Sequence, residues 1–404
     1  MVTTLPTPSP AAAEPPDVVV TNGSWRRAVV VGLAAWVVSR LCVLAGAGVR
    51  AAQQAVEANM AGEPRPGSPG RLAFETFTLW DARWYLEIVR QGYPRSIPPD
   101  ITYFQVEARA AFFPLYPMAV RALDAVLPAG DSFAALTLNF FLGLAGLLVV
   151  GVLARRLFDD AVAERAMVLF AVFPGSFVLS FAYAEALFIL LAALCLWFLL
   201  EERWVWAGLV AALATATRPN GVAVFAACAV AAFVAIRRER AWSSLAAPLL
   251  APLGVISFHV FLAWHTDESF AWFRVQREAW REGTSFGATV LQNSLDFLTA
   301  PLASPTDALT FATALATLGA LWALWKHPLP WPMIIYVAVV LVLMLLPATV
   351  TARPRFLFTA FPLLISSAAW WPRQDRAGWD LLLVGCGAGL TGLTALYALF
   401  GAVP

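Results

Sequence analysis

The stretch FTLWDARWYLEIVRQGYP, residues 77–94, sets one carboxylate, Asp81, between the indoles Trp80 and Trp84, with Tyr85 beside them. Two jobs fit an acid in that setting. It can cap the helix that ARWYLEIV predicts. It can also act as a general base, made more basic by partial burial against the indoles. On the pattern alone the two are evenly matched. Trp80 and Trp84 also suit the headgroup zone of a bilayer, where tryptophan concentrates.

Four further stretches carry isolated polar residues beside glycine, proline or a long apolar run. Glu185 opens the apolar run of FAYAEALFILL, just after Tyr183. The helix dipole favours an acid there. An acid at the mouth of an apolar helix is costly without a partner, so an arginine or a substrate hydroxyl is expected nearby. Arg218 and Asn220 lie in TATRPNG, and Arg353 and Arg355 in ARPRF. These arginines either snorkel to the interface or bind an anion, and a guanidinium fork matches a phosphate. Ligand binding is the favoured reading. Arg40 lies inside the apolar run VVSRLCVL. It marks a functional site or pairs with an acid at a helix end. Asp159 and Asp160 sit among arginines and are expected in a solvated loop. No D-x-D stands near the other candidates, which argues against a metal-held nucleotide sugar. No metal site and no cofactor are expected.

The elements that position these residues are apolar helices. Of 404 residues, 60% are hydrophobic and 13% charged. A soluble domain carries about 25% charge. Runs of some 20 apolar residues suffice to cross a bilayer, and no alternation of the barrel kind is present. The net charge is +1, which gives no electrostatic reason to expect nucleic acid. The four cysteines, all in apolar runs, read as small buried hydrophobes. Abundant alanine and arginine beside a single lysine, Lys326, suggest a GC-rich bacterial genome.

Residues 1–24, rich in Pro, Ala and Thr, read as a disordered cytoplasmic tail, and 25–404 as one transmembrane domain. Arg26 and Arg27 ahead of the first run keep the N-terminus inside. Eleven spans are then expected: 28–49, 132–154, 163–178, 184–200, 204–217, 221–236, 244–263, 307–325, 331–349, 355–371 and 378–402. The paired arginines fall inside, as the positive-inside rule requires. Residues 50–131 form a large first external loop and 264–305 a second. The run at 111–127, which holds Pro114, Pro117, Arg121 and Asp124, reads as a juxtamembrane helix. This threading puts Asp81, Glu185, Arg218, Asn220, Arg353 and Arg355 on the external face.

In that order the motifs resemble those of PIG-V, the second mannosyltransferase of GPI-anchor assembly. WDARWYLEIVRQGY followed by AFFPLYP is similar to its first-loop signature. FPGSFVLSFAYAEALF, TRPNG and RFLFTAFPLL resemble its later motifs, and the likeness runs over roughly residues 28–370. The resemblance implies a GT-C glycosyltransferase fold and a polyprenyl-phosphate sugar donor. It assigns the base role to Asp81 and places Tyr183, Glu185, Arg218 and Asn220 in a second functional region. Arg83 and Trp84 stand where eukaryotic members have an acid and a histidine, and Ala184 and Pro219 replace serines. A bacterium makes no GPI anchor, so the acceptor is another glycan or glycolipid.

The expected activity is transfer of mannose, with inversion, at the external face of the cell membrane. Trp80, Trp84 or Tyr85 would stack on a sugar ring. Arabinose or glucose on the same lipid would need similar residues. A lipid flippase or transporter is the rival class. It predicts inverted repeats, which the sequence lacks.

Overall fold

The computed structural model describes residues 22–64, 67–349 and 353–401. Residues 1–21 of the expected tail lie outside them. The first helix, α1 (Asn22–Ala61), runs 40 residues. It therefore carries helix well past residue 49, where the first external loop was expected to begin. No proline interrupts the helix before Gly62, whose φ of 68° suits the left-handed residue that ends a helix.

The loop that follows holds short helices: α2 (Pro69–Thr76), α3 (Asp81–Gln91) and α4 (Leu115–Asp124). Ten residues of α4 reach only about 15 Å, too short to cross a bilayer. The chain continues through α5 (Asp131–Leu157), α6 (Asp160–Val172), α7 (Glu185–Leu200), α8 (Trp204–Thr215) and α9 (Gly221–Glu239). Then come α10 (Ala246–Leu250), α11 (Leu253–Thr266), α12 (Ala271–Val275) and α13 (Ala288–Thr299). The last elements are α14 (Pro305–Lys326), α15 (Trp331–Leu345), α16 (Pro354–Thr359), α17 (Pro362–Trp370) and α18 (Arg376–Ala398).

Among the described residues six helical segments are long and apolar enough to cross a membrane. They are Ser24–Ala61, Asp131–Leu157, Gly221–Glu239, Trp242–Thr266, Pro305–Lys326 and Arg376–Ala398. Glu185–Leu200, Trp204–Thr215 and Trp331–Leu345 are apolar but shorter. The chain is an all-helical membrane protein.

Prolines break three runs that the sequence suggested as single spans. Residues 163–178 become α6 and a 3₁₀ turn, Pro174–Leu179. Residues 355–371 become α16 and α17, with Pro362 opening the second. Residues 244–263 carry a local break at Pro252 between α10 and α11, yet remain within one membrane-length segment, Trp242–Thr266. Proline removes a helix hydrogen bond and clashes with the preceding turn, so each break is local in origin. Asp159 does more than sit in a solvated loop. Its carboxylate accepts from the Val162 amide at 2.8 Å and caps α6.

The main core packs α1 against α6 and α18, and α5 against α6 and α7. A second apolar cluster joins the shorter segments between the long helices. Trp84, Ile101 and Phe113 meet Phe258 and Leu262 of α11 and Val275 of α12. Two close approaches bring distant helices together. Gly254 lies against the Ala212 carbonyl of α8, and Gly175 against the Pro354 carbonyl at the start of α16. A methyl group at either glycine would collide with backbone, so each position requires its missing side chain.

Candidate active site

Trp80 has φ 58° and ψ −124°, a sparsely populated conformation for a residue with a side chain. Its indole Nε1 donates to the Tyr397 carbonyl at 3.0 Å, and its ring lies 5.1 Å from Phe400. Anchoring to the end of α18 thus holds the backbone in that state. The consequence is that Trp80, not Asp81, is the residue preceding α3, and Asp81 is its first helical residue with no side-chain capping bond. The capping alternative is therefore not what the fold builds. Asp81 Oδ2 instead accepts from Arg355 Nη1 at 2.9 Å.

The setting expected for Asp81, a carboxylate dried by two flanking indoles, also differs. Trp84 is 0% exposed and points into the second core cluster. It packs on Tyr103, Phe112 and Trp280 and cannot reach a ligand face. Tyr85 is buried, with its ring against Phe112 and Tyr116, and lines the cavity beside Asp81. Burial raises the Tyr85 phenol, opposed by Arg218 and reinforced by Glu185 and Asp81. It remains a neutral hydroxyl at neutral pH.

The loop before α7 is pinned from two sides. Asn139 of α5 donates its amide to the Phe181 and Tyr183 carbonyls, and the Ala182 amide donates to the Phe77 carbonyl. This brings residues 181–185 beside the start of α3. Glu185, the first residue of α7, is 1% exposed. It forms an ion pair with Arg218, and its Oε1 lies 3.9 Å from Arg355 Nε. The Arg355 guanidinium also lies 5.7 Å from the Tyr183 ring centroid, which is cation–π range. Asp81, Arg355, Glu185 and Arg218 are therefore one chain of alternating charges, assembled from four elements.

Arg353 and Arg355 diverge. Arg353 precedes α16 and turns to α14, where it donates to the Thr306 carbonyl and to Thr310 Oγ1 at 3.3 and 3.2 Å. Arg355 alone reaches the acids. Arg40 is also elsewhere. It donates to the Ser176 carbonyl and hydroxyl and to Ser180 Oγ, and it lies 4.3 Å over Trp36. Neither a ligand site nor an acid partner surrounds it. Arg40 ties α1 to the 174–179 turn, which abuts α16 through Gly175. Replacing Arg40 with Leu is expected to cost about 2–3 kcal/mol for a lost set of charge-assisted bonds. Thermal unfolding in detergent would show this, while kcat per folded molecule stays near wild type.

The charged chain lines a two-lobed cavity. The smaller lobe, about 160 Å³, is bounded by Asp81, Tyr85, Phe112, Arg218 and Arg355. The larger, about 560 Å³, adds Trp80, Tyr103 and Asn220 and runs along Val340, Leu343 and Phe356. Gln276 and Trp280 line both lobes. No motif in the sequence marks them. They lie on a π-helical turn, Gln276–Trp280, a form that recurs at functional sites. Asn139 likewise carried no signal beyond a polar residue in an apolar run.

A clamp fixes that turn. Arg274 meets Glu268 with two hydrogen bonds of 2.7 Å and also donates to Glu278 and to the Ile97 and Pro98 carbonyls. The Arg274 hydrogen bond holds the Glu268 carboxyl below its ordinary value of 4.5. A depressed acid contributes stability that is complete above the ordinary value and lost as pH falls through the lowered one. Limited proteolysis of the 264–282 segment is therefore expected to increase only as the pH is taken below the ordinary carboxyl value of 4.5. Protection that persisted after Arg274→Gln would contradict the clamp.

Comparison with known proteins adds to this geometry. The fold resembles that of a solved membrane protein. The crystal structure of ArnT from Cupriavidus metallidurans bound to undecaprenyl phosphate matches at TM-score 0.52 and 15% identity, over 74% of this chain and 56% of that chain. The apo structure of the same protein matches at TM-score 0.51 and 15% identity, over the same shares. The chain thus spans little more than half the length of the structure it matches. Residues 70–247 match the model of the family described as Mannosyltransferase (PIG-V). That region contains Asp81, Tyr183, Glu185, Arg218 and Asn220, whereas Arg353 and Arg355 lie beyond it. No curated protein sequence matches.

Proposed function

We propose that this protein is a membrane glycosyltransferase that moves mannose from a polyprenyl-phosphate donor to an acceptor hydroxyl at the external face. The observation that carries the reading is the convergence of Asp81, Arg218 and Arg355 on one cavity, with Glu185 beside both arginines behind its wall. Asp81, Glu185 and Arg218 lie within the mannosyltransferase match. The eleven-span threading, with the N-terminus in the cytoplasm and the cavity external, belongs to this reading.

The donor lipid enters along Val340, Leu343 and Phe356, so that its phosphate meets Arg355 and Arg218. Each guanidinium keeps donors beyond those used on Asp81 and Glu185, and these neutralise charge on the departing phosphate. Asp81 Oδ2 is held by Arg355, which leaves Oδ1 to accept the proton of the acceptor hydroxyl. The acceptor oxygen attacks the anomeric carbon as the carbon–oxygen bond to phosphate breaks. Polyprenyl phosphate leaves, and the configuration inverts from β to α. Glu185 keeps Arg218 and Arg355 in place from beneath. Asn220 and Trp80 sit on the wall of the larger lobe, within reach of the donor sugar.

The reading is tested with membranes supplied with radiolabelled polyprenyl-phosphate mannose. Label should move to an extractable glycan and be released by α-mannosidase. Label released only by β-mannosidase would exclude the inverting mechanism.

A further inference from the structure

Gln276 and Trp280 face the charged chain across the cavity, in both lobes, and neither the PIG-V match nor any motif covers them. The Gln276 amide has no hydrogen-bond partner among the described residues. Four residues on, the Trp280 indole rests on Tyr103 and Phe112 at 5.5 and 5.7 Å, and also borders the open space. Both project from one short turn whose position is set by Arg274 and its two glutamates. A group so placed is built to meet a ligand, since preorganised side chains on a clamped element lose little freedom on binding.

The chemistry of the pair is specific. A pyranose presents hydroxyls around its edge and an apolar C–H face. A primary amide offers both donor and acceptor to neighbouring hydroxyls. An indole offers a large flat apolar surface with a negative face towards C–H groups. The apolar strip of Val340, Leu343 and Phe356 belongs to α15 and the start of α16, whereas Gln276 and Trp280 come from the external segment after α11. The lipid-borne donor and the second substrate therefore approach from different sides. A peptide acceptor would be gripped through its backbone, commonly at a sheet edge, and the described residues form no sheet.

Building on the transferase reading above, we propose that Gln276 and Trp280 form the subsite for a pyranose ring of the acceptor. The acceptor is then a carbohydrate hydroxyl, not a peptide or lipid alcohol. Its ring lies on Trp280, Gln276 holds its edge, and the reacting hydroxyl faces Asp81.

The test uses the full-length protein in liposomes with polyprenyl-phosphate mannose, and octyl glucopyranoside, octyl mannopyranoside and a Ser/Thr peptide as acceptor probes. An octyl hexoside should accept the sugar and the peptide should not. Gln276→Ala and Trp280→Ala should each raise the KM for the octyl hexoside about ten-fold, the loss of one good contact. The acceptor KM should rise several-fold more than the donor KM. Trp280→Phe keeps an aromatic face and should recover most of the affinity, and it stands in if the alanine variant does not fold. An unchanged acceptor KM, a donor KM raised as much as the acceptor KM, or transfer to the peptide alone would overturn the subsite. A wild-type protein that neither transfers nor hydrolyses the donor overturns the activity itself, and the subsite with it.

Discussion

Asp81→Asn should abolish transfer while leaving the protein folded. The substitution keeps the shape of the side chain, and the amide oxygen can still accept from Arg355 Nη1, now 2.9 Å from Oδ2. What is lost is the site that takes the proton from the acceptor hydroxyl. General-base catalysis is worth about 10²–10⁴ in rate, so kcat should fall by at least two orders of magnitude. The acceptor and donor KM values should change little, because Asp81 acts chiefly in the transition state. Asp81→Glu shifts the carboxylate by one methylene and should recover only part of the rate. A misplacement of about 1 Å costs about 100-fold in a positioned reaction.

Arg355→Met should be the most damaging single change to the site, for two separable reasons. The guanidinium lies within 4.0 Å of both Asp81 and Glu185, and removing it takes away the link between two acids. Glu185, almost fully buried, would keep only Arg218. Breaking a buried ion pair by deleting one partner costs about 3–5 kcal/mol, so the variant should unfold at a lower temperature. Catalysis should also fall, since one of the two cations proposed to face the phosphate is gone. Arg355→Lys separates the effects. It restores charge but not the fork that bridges two carboxylates. We expect its stability to recover more than its rate, measured as Tm in detergent against kcat. Arg353→Met, two residues away but facing α14, should spare the chemistry.

Much of this arrangement is legible in the chain. Isolated charges next to glycine or proline at the ends of apolar runs cannot be solvated cheaply, so they must find one another. Asp81, Glu185, Arg218 and Arg355 do so in the structure. Arg40 and Arg353 obey the same rule with other partners. Hydropathy marks an arginine in an apolar run as needing a partner but cannot say which helix supplies it. For Arg40 the partners are serine groups of a turn 136 residues away. Trp84 illustrates a second limit. Its neighbours suggest an interface, yet its helix turns it into a core formed by α11 and α12, whose packing is not local information. The pattern leaves capping open for Asp81 because a cap and a first helical residue differ by one position. The anchoring of Trp80 on the Tyr397 carbonyl makes Trp80 the residue that precedes α3. Gln276 and Trp280 stay hidden because a π-helical turn has no hydrophobic period of its own.

The fold follows the same division. Apolar runs announce the helices, whereas the breaks at Pro174 and Pro362 divide two of them. The break at Pro174 matters most for the site. It creates the turn whose Gly175 admits the start of α16, and α16 carries Arg355.

The central claim is that a sugar leaves a polyprenyl phosphate at the Asp81 cavity. The most direct measurement compares purified wild-type and Asp81→Asn proteins, matched for folded amount, in liposomes holding polyprenyl-phosphate mannose labelled in the sugar. With an octyl hexoside added, the wild type should convert donor to labelled glycoside with equimolar release of polyprenyl phosphate, and the variant should not. Intact donor with the wild type, or equal turnover by the two proteins, would contradict the account.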